Sequence, residues 1–232
     1  MTAVLRTIVI AAHGTQDAAG VAVAHQLTNA VRAQLPAWQV SLAFVDVLGP
    51  RVREVLATVP GPVTVVPAFL SCGYHVLTDV PQEVAATGRR DVTISSALGP
   101  HPLLVGAMKE RLREAGGVDT DAVVLAAAGS SDPHAVADVR VAARLLSGEV
   151  GRRVRVGFVA TGTPRVGPLV TGLRVAGASR IALASWLLAP GLFHGRLAAT
   201  GAEVVAAPLG AHPGVIDRLV QLARTGAMLR SA

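Results

Sequence analysis

The sequence predicts an α/β protein made of two tandem doubly wound parallel-sheet halves, and two observations predict it. Short continuous runs of Val, Ile, Leu and Ala alternate with amphipathic stretches along the whole chain. That is the pattern of strands buried on both faces between crossover helices. The chain also repeats itself. Ile8-Val-Ile-Ala-Ala-His-Gly-Thr-Gln-Asp17 matches Val123-Val-Leu-Ala-Ala-Ala-Gly-Ser-Ser-Asp132, 115 positions on. Gly73-Tyr-His75 matches Gly191-Leu-Phe-His194, and Leu98-Gly-Pro-His-Pro102 matches Leu209-Gly-Ala-His-Pro213. Three matches in one order, at nearly one spacing, divide the chain into halves 1–116 and 117–232, with Gly116-Gly117 as the expected linker.

In the first half the apolar runs 7–12, 39–45, 63–68 and 92–96 read as strands, with helices over 18–35, 50–58, 78–87 and 101–115. In the second half the strands fall at 122–127, 153–159, 180–185 and 203–207, with helices over 133–147, 165–175, 193–200 and 212–226. Pro50, Pro133 and Pro164 stand where first helical turns are expected, a position that suits proline's fixed φ and missing N–H. Each half is then a sheet with helices on both faces.

Composition narrows the function. Of 232 residues, 51% are apolar and 16% charged, enough for a buried core; aromatics are only 3%, so Ala, Val and Leu must fill it. The net charge of +6 comes almost wholly from arginine, since Lys109 is the only lysine. The basic residues are scattered, without dense runs or stacking aromatics, which argues against nucleic acid and leaves a small polyanion as partner. Cys72 is the sole cysteine, so no intramolecular disulfide and no Cys-based zinc site can form. No apolar stretch approaches the ~18 residues of a membrane span. Thr7 to Ala12 reads as a first strand rather than a secretory signal. The expectation is a soluble cytoplasmic protein with no membrane partner, and a two-half chain is compatible with a monomer.

His13, Asp46 and His75 each follow a predicted strand of the first half, where open parallel sheets bind ligands. Gly73 breaks the run before His75. On adjacent strands, two imidazoles and a carboxylate would converge with open positions, which suits a divalent first-row metal. The alternative is three polar loop residues. Gly14 and Thr15 are candidate substrate contacts, where backbone N–H groups at a helix start could approach an anionic group. Gly73 is counted with them. The second half has Ala128 in place of His13, and Thr161 or Ala160 near the Asp46 equivalent. His194 remains, either as a contact to metal or substrate or as a retained structural residue. His101 and His212 share one place before a proline, which favours local structure. His25 and His134 read as surface or packing residues, Cys72 as a small buried hydrophobe, and Asp79 as a helix cap.

The residues around these histidines carry a family resemblance. The apolar strand ending Ala12-His13-Gly14-Thr15, the segment Pro67-Ala-Phe-Leu-Ser-Cys-Gly-Tyr-His75 with Asp79-Val-Pro81, and Leu98-Gly-Pro-His-Pro102 together resemble the sirohydrochlorin chelatases, the class II chelatases. The resemblance covers the whole chain, since long members carry two tandem halves. It implies ATP-independent insertion of a divalent metal, Fe2+ or Co2+ with Ni2+ as a further case, into sirohydrochlorin, with no nucleotide cofactor. It places the active-site His pair on His13 and His75. A third acidic position, usually Glu, falls on Asp46 in Ala43-Phe-Val-Asp46. The leading expectation is Fe2+ insertion for siroheme; the alternatives are a cobaltochelatase of the cobalamin branch or a non-catalytic metal or tetrapyrrole carrier. Sirohydrochlorin is rich in carboxylates, and an arginine-rich chain fits it, because the guanidinium fork binds carboxylates in a bidentate way.

Overall fold

The computed structural model describes residues 6–228. The first four strands are β1 (Arg6–Ala12), β2 (Trp38–Phe44), β3 (Val63–Pro67) and β4 (Val92–Ile94), with helices α1 (Ala18–Gln34), α2 (Val52–Thr58), α3 (Val80–Ala85) and α4 (Pro102–Glu114). The second series is β5 (Ala122–Gly129), β6 (Val154–Thr161), β7 (Ile181–Trp186) and β8 (Val204–Val205), with α5 (Pro133–Val150), α6 (Val166–Val175), α7 (Leu192–Ala198) and α8 (Pro213–Met228). They form two four-stranded sheets of identical order, β2-β1-β3-β4 and β6-β5-β7-β8, parallel throughout. The expected α/β architecture is what the chain adopts.

Strand alternation sends odd and even residues to opposite faces. In the first sheet Val9, Ala11, Ala43, Val63 and Val65 pack with Val52, Val55 and Leu56 of α2 and Val80 and Val84 of α3. Each Val or Leu side chain among them removed from water contributes roughly 1.5–3 kcal/mol. In the second sheet Val124, Ala126, Ile181 and Leu183 pack with Val166, Val170 and Leu173 of α6 and Leu197 of α7. Small residues let the helices come close. A Cβ on Gly226 of α8 would lie 2.4 Å from Thr64 Cγ2 on β3.

The repeat divides the chain at 116/117, and compactness divides it elsewhere. Of the described residues, one unit comprises 6–98 and 215–228, the other 99–214. The helix that follows β4, α4, therefore belongs to the second unit, where it packs against α5 and β7, and α8 belongs to the first. Gly116-Gly117, expected as a linker, lies inside the second unit and closes α4. Gly116 takes φ 73° and the Gly117 N–H donates to the Leu112 carbonyl at 2.8 Å, the left-handed ending that glycine permits.

Two smaller expectations change. Pro133 opens α5 as anticipated, but Pro50 and Pro164 precede their helices, which start at Val52 and Val166. Their carbonyls instead accept the Phe44 and Phe158 N–H groups at 2.8 and 2.9 Å, tying off β2 and β6. The helix expected from residue 78 begins earlier, because a π-turn over His75–Asp79 runs directly into α3.

Carboxylates fasten the entry of β7. Asp121 Oδ2 accepts the Ser179 and Arg180 N–H groups, each at 2.7 Å, and Glu203 accepts the Ile181 N–H at 2.8 Å. These bonds favour the ionised forms, so Asp121 is held below its ordinary pKa chiefly by the Arg180 and Ser179 N–H groups. Glu203 is lowered by the Ile181 N–H and then by Arg174. A carboxyl group with a lowered folded-state pKa stabilises the fold above its unfolded pKa and loses that contribution as pH falls through the folded value. The urea midpoint is therefore expected to drop as pH falls below about 4, and Asp121→Asn to flatten that dependence.

The packing of α8 gives a second expectation. Gly226→Ala should lower the denaturation midpoint, since overpacking costs about 1–3 kcal/mol, only partly offset by alanine's better helix propensity of about 1 kcal/mol. Thr64→Ser, which removes the methyl group that the new Cβ meets, should restore most of the loss in the double variant.

Candidate metal centre

In a sheet of order β2-β1-β3-β4, the chain leaves β1 toward one edge and β3 toward the other. The crevice at such a switch point, beyond the carboxyl ends of the strands, is where open α/β sheets bind ligands. β1 and β3 are hydrogen-bonded neighbours, with Ala11 opposite Pro67. His13 follows β1 directly, and the loop after β3 leads to His75 at the head of the π-turn. π-turns recur at functional sites.

The two imidazoles meet edge to face, with Nε2 3.1 Å from Nε2 and ring planes 87° apart. Their other nitrogens are committed. His13 Nδ1 lies 2.9 Å from the Gly14 carbonyl and His75 Nδ1 lies 2.6 Å from Asp79 Oδ2. A carbonyl and a carboxylate only accept, so both Nδ1 atoms carry the proton and donate. Both Nε2 atoms then present lone pairs to one another. Facing lone pairs repel unless a cation lies between them, and either a proton or a metal ion meets that need. Two nitrogens each ~2.1 Å from a common ion, and 3.1 Å apart, subtend ~95° at it, a normal angle between adjacent ligands.

Neighbouring residues fix the rings. Phe69 stacks on His75 with centroids 5.7 Å apart and planes at 26°, and its edge meets His13 at 6.2 Å. Tyr74, 60% exposed, stands edge-on to His75 at 6.1 Å. Asp79 lies one turn after His75, where a π-turn puts its carboxylate beside the ring, and its hydrogen bond sets both tautomer and orientation. The expectation that Asp79 caps the next helix is corrected, since it makes no cap hydrogen bond to α3.

The Asp46 carboxylate is engaged by its own neighbour. β2 ends at Phe44, so Asp46 sits two residues beyond it, exposed, with Oδ1 accepting the Val47 N–H at 2.7 Å. Among the described residues no group of three or more His, Cys, Asp and Glu is close enough to share an ion. The carboxylate that touches the pair is that of Asp79. The Asp46 backbone is nevertheless part of the frame. Its N–H donates to the His13 carbonyl at 2.9 Å, and its own carbonyl oxygen would stand 2.1 Å from a Cβ on Gly14, which takes φ 94°. Only glycine allows that approach.

The other candidates make hydrogen bonds within their own unit. Thr15 Oγ1 accepts the Asp17 N–H at 3.1 Å, and Asp17 caps α1 through the Ala19 and Gly20 N–H groups. The Gly73 carbonyl accepts the Val76 and Leu77 N–H groups that open the π-turn. In the second unit the frame recurs without the pair. Gly129, φ 98°, passes the Thr161 carbonyl as Gly14 passes that of Asp46, which makes Thr161 the Asp46 equivalent. His194 Nε2 donates to the Ala206 carbonyl at 3.2 Å. His101 and His212 both accept N–H groups two residues on, from Leu103 and Gly214, and His212 Nε2 also meets Glu110 Oε2 at 2.8 Å. Asp79 and Phe69 are the residues that sequence reasoning left out of the site. The spacing His75-x-x-x-Asp79, one helical turn, was the available signal.

Among solved structures the chain is similar to SirB from Bacillus subtilis with Fe3+, at 21% identity and a TM-score of 0.84, covering 98% of each chain. It is also similar to the sirohydrochlorin chelatase SirB from Bacillus subtilis subspecies spizizenii in complex with cobalt, at 18% identity and a TM-score of 0.79, covering 97% of this chain and 96% of that one. A third likeness is to CbiX, the terminal enzyme for biosynthesis of siroheme in denitrifying bacteria, at 17% identity and a TM-score of 0.69, covering 95% and 98%. Comparison with curated proteins gave no match. These likenesses define a protein of the chelatase-like α/β fold with two units. The CbiX family profile matches residues 7–115 and again 122–225. The chain belongs to the CbiX family, the sirohydrochlorin chelatase family that its histidine motifs resemble.

If Asp79 holds His75 in the required tautomer, Asp79→Asn should weaken Co2+ binding by about 10–100-fold, as removal of such outer partners does elsewhere. Calorimetric titration with Co2+ on the folded variant measures it, and unchanged affinity would remove Asp79 from the centre.

Proposed function

We propose that this protein inserts Fe2+ into sirohydrochlorin, the step that forms siroheme, without nucleotide hydrolysis, and that His13 and His75 perform it. The observation that carries this reading is the pair of Nε2 atoms 3.1 Å apart, with each Nδ1 within hydrogen-bond distance of an oxygen acceptor. Insertion exchanges one divalent ion for two pyrrole protons. A two-nitrogen site suits that exchange, because it holds the ion by few bonds and can surrender it to the four nitrogens of the macrocycle. Once the ion has left, the same gap accepts one of the released protons as an N–H···N bond between the two rings, and water carries off the other. The family and the iron- and cobalt-bearing SirB structures support the class of reaction.

Phe69 and Tyr74 bracket His75, and the exposed ring of Tyr74 offers an apolar face to an incoming macrocycle. Asp46 is assigned here a backbone role, holding the His13 loop, with Gly14 allowing the close pass. Gly73 and Thr15 shape the two loops, and His194 is assigned a structural role through Ala206. Co2+ is the competing substrate, since imidazole pairs accept either ion.

The test is anaerobic absorbance spectroscopy with purified protein, sirohydrochlorin and Fe2+, repeated with Co2+. Conversion faster than the protein-free rate is expected, with Fe2+ preferred. His13→Ala and His75→Ala should each lower the rate by 10²-fold or more, the scale of a lost proton-transfer group, while leaving the denaturation midpoint within about 1 kcal/mol. Wild-type rates in both variants would sink the assignment. A preference for Co2+ would move the protein to the cobalt branch.

A further inference from the structure

The two units share a backbone but differ in charge at one place. In the first unit Arg51 follows β2 and bridges to Phe44. Its guanidinium donates to Glu83 Oε1 at 3.1 Å, and the Arg53 N–H donates to Glu83 Oε2 at 3.2 Å. Glu83 is only 6% exposed. The Arg53 guanidinium also lies 3.6 Å from Glu83 Oε1, so this corner of the unit holds an internal carboxylate in a cradle of two guanidiniums and one backbone N–H.

The second unit repeats the corner. Arg165 bridges to Phe158 as Arg51 does to Phe44, which puts Gly167 in the place of Arg53. On the facing helix the sequences Val84-Ala-Ala-Thr-Gly88 and Leu197-Ala-Ala-Thr-Gly201 coincide. Thr87 Oγ1 donates to the Val84 carbonyl at 2.6 Å, and Thr200 Oγ1 donates to the Leu197 carbonyl at 2.6 Å. Gly88 and Gly201 both take positive φ, 66° and 80°. By this alignment the residue in the place of Glu83 is Arg196. The carboxylate has become a second guanidinium. The corner is a cleft of about 280 Å³, lined by Arg165, Gly167, Arg196 and Thr200 over Phe158 and Leu197. Arg165 makes one hydrogen bond, to the Val159 carbonyl at 3.2 Å, and Arg196 lies over the Phe193 ring at 5.9 Å. Neither contact neutralises its charge.

We infer that the Arg165–Arg196 cleft of the second unit binds an external carboxylate, in the position that Glu83 fills internally in the first unit. Two guanidiniums in one cleft repel, and an anion between them removes that repulsion while gaining charge-assisted hydrogen bonds. The small polar opening over an apolar floor admits a carboxylate on a flexible arm. The site stands on the second unit alone. That the carboxylate belongs to a tetrapyrrole rests on the function proposed above.

The test uses the full chain without metal, so it reads binding whether or not the protein is a chelatase. Two probes distinguish the source: tricarballylate, a small free tricarboxylate, by calorimetry, and metal-free sirohydrochlorin by fluorescence quenching. Arg196→Glu reinstates the internal pair of the first unit and should raise the Kd of at least one probe tenfold or more. Arg196→Gln, which removes the charge without supplying a partner, should raise it less and guards against a fold effect in the first variant. Weakening of tricarballylate identifies a general carboxylate site, and weakening of sirohydrochlorin alone identifies a substrate arm. Unchanged affinity for both probes in both variants, or no saturable binding of either by the wild type, overturns the inference.

Discussion

Because β1 and β3 pair in parallel from Thr7 opposite Val63 to Ala11 opposite Pro67, the segments that carry His13 and His75 leave the sheet side by side. Every feature of the centre depends on that pairing. The strands are buried on both faces, so a shift of one residue would turn Val9 and Ala11 away from α2 and expose the opposite set. Register is thus fixed by the core, and the histidines inherit their separation from it. What remains to be set locally is ring orientation, and this falls to the Gly14 carbonyl, Asp79 and Phe69.

The second unit separates scaffold from chemistry. It keeps the strand order, the glycine that passes under the next strand's carbonyl and the hydroxyl that receives the capping residue's N–H, Thr15 to Asp17 and Ser130 to Asp132. It does this with Ala128 in the place of His13. The loop geometry therefore does not require an imidazole, and the pair in the first unit is an addition to a frame that stands without it. Half-exposed polar side chains that the fold does not need are where chemistry is sought.

Strand and helix positions were legible because both-face burial writes unbroken Val/Ile/Ala runs, and the repeat doubled each signal. The His pair was legible because each residue terminates such a run. The side-chain direction of Asp46 was not legible, because strand endings in sequence carry none: β2 stops at Phe44, and two residues on the carboxylate accepts the N–H of its own neighbour Val47. Asp79 was hidden by its neighbour Pro81, which reads as a helix start, while the π-turn that brings it to His75 has no sequence signature of its own. The exchange of α4 and α8 between compact units was illegible for a different reason. Both helices are amphipathic and follow the last strand of their own half, and amphipathicity states that a helix must pack without stating on which sheet.

In the proposed reaction, the small number of nitrogens in the pair matters as much as their identity. A third protein ligand would deepen the metal's well and slow its transfer, whereas two imidazoles leave most coordination positions to water and to the macrocycle. On that proposal the Asp79 carboxylate, 2.6 Å from His75 Nδ1, would strengthen His75 as a donor through the far side of the ring. It would also stabilise a proton-bridged pair once the metal has gone, because a negative charge behind the ring offsets the positive charge such a pair carries. Ligand in one state and proton acceptor in the next, the same two nitrogens would on this proposal serve both halves of the exchange without moving.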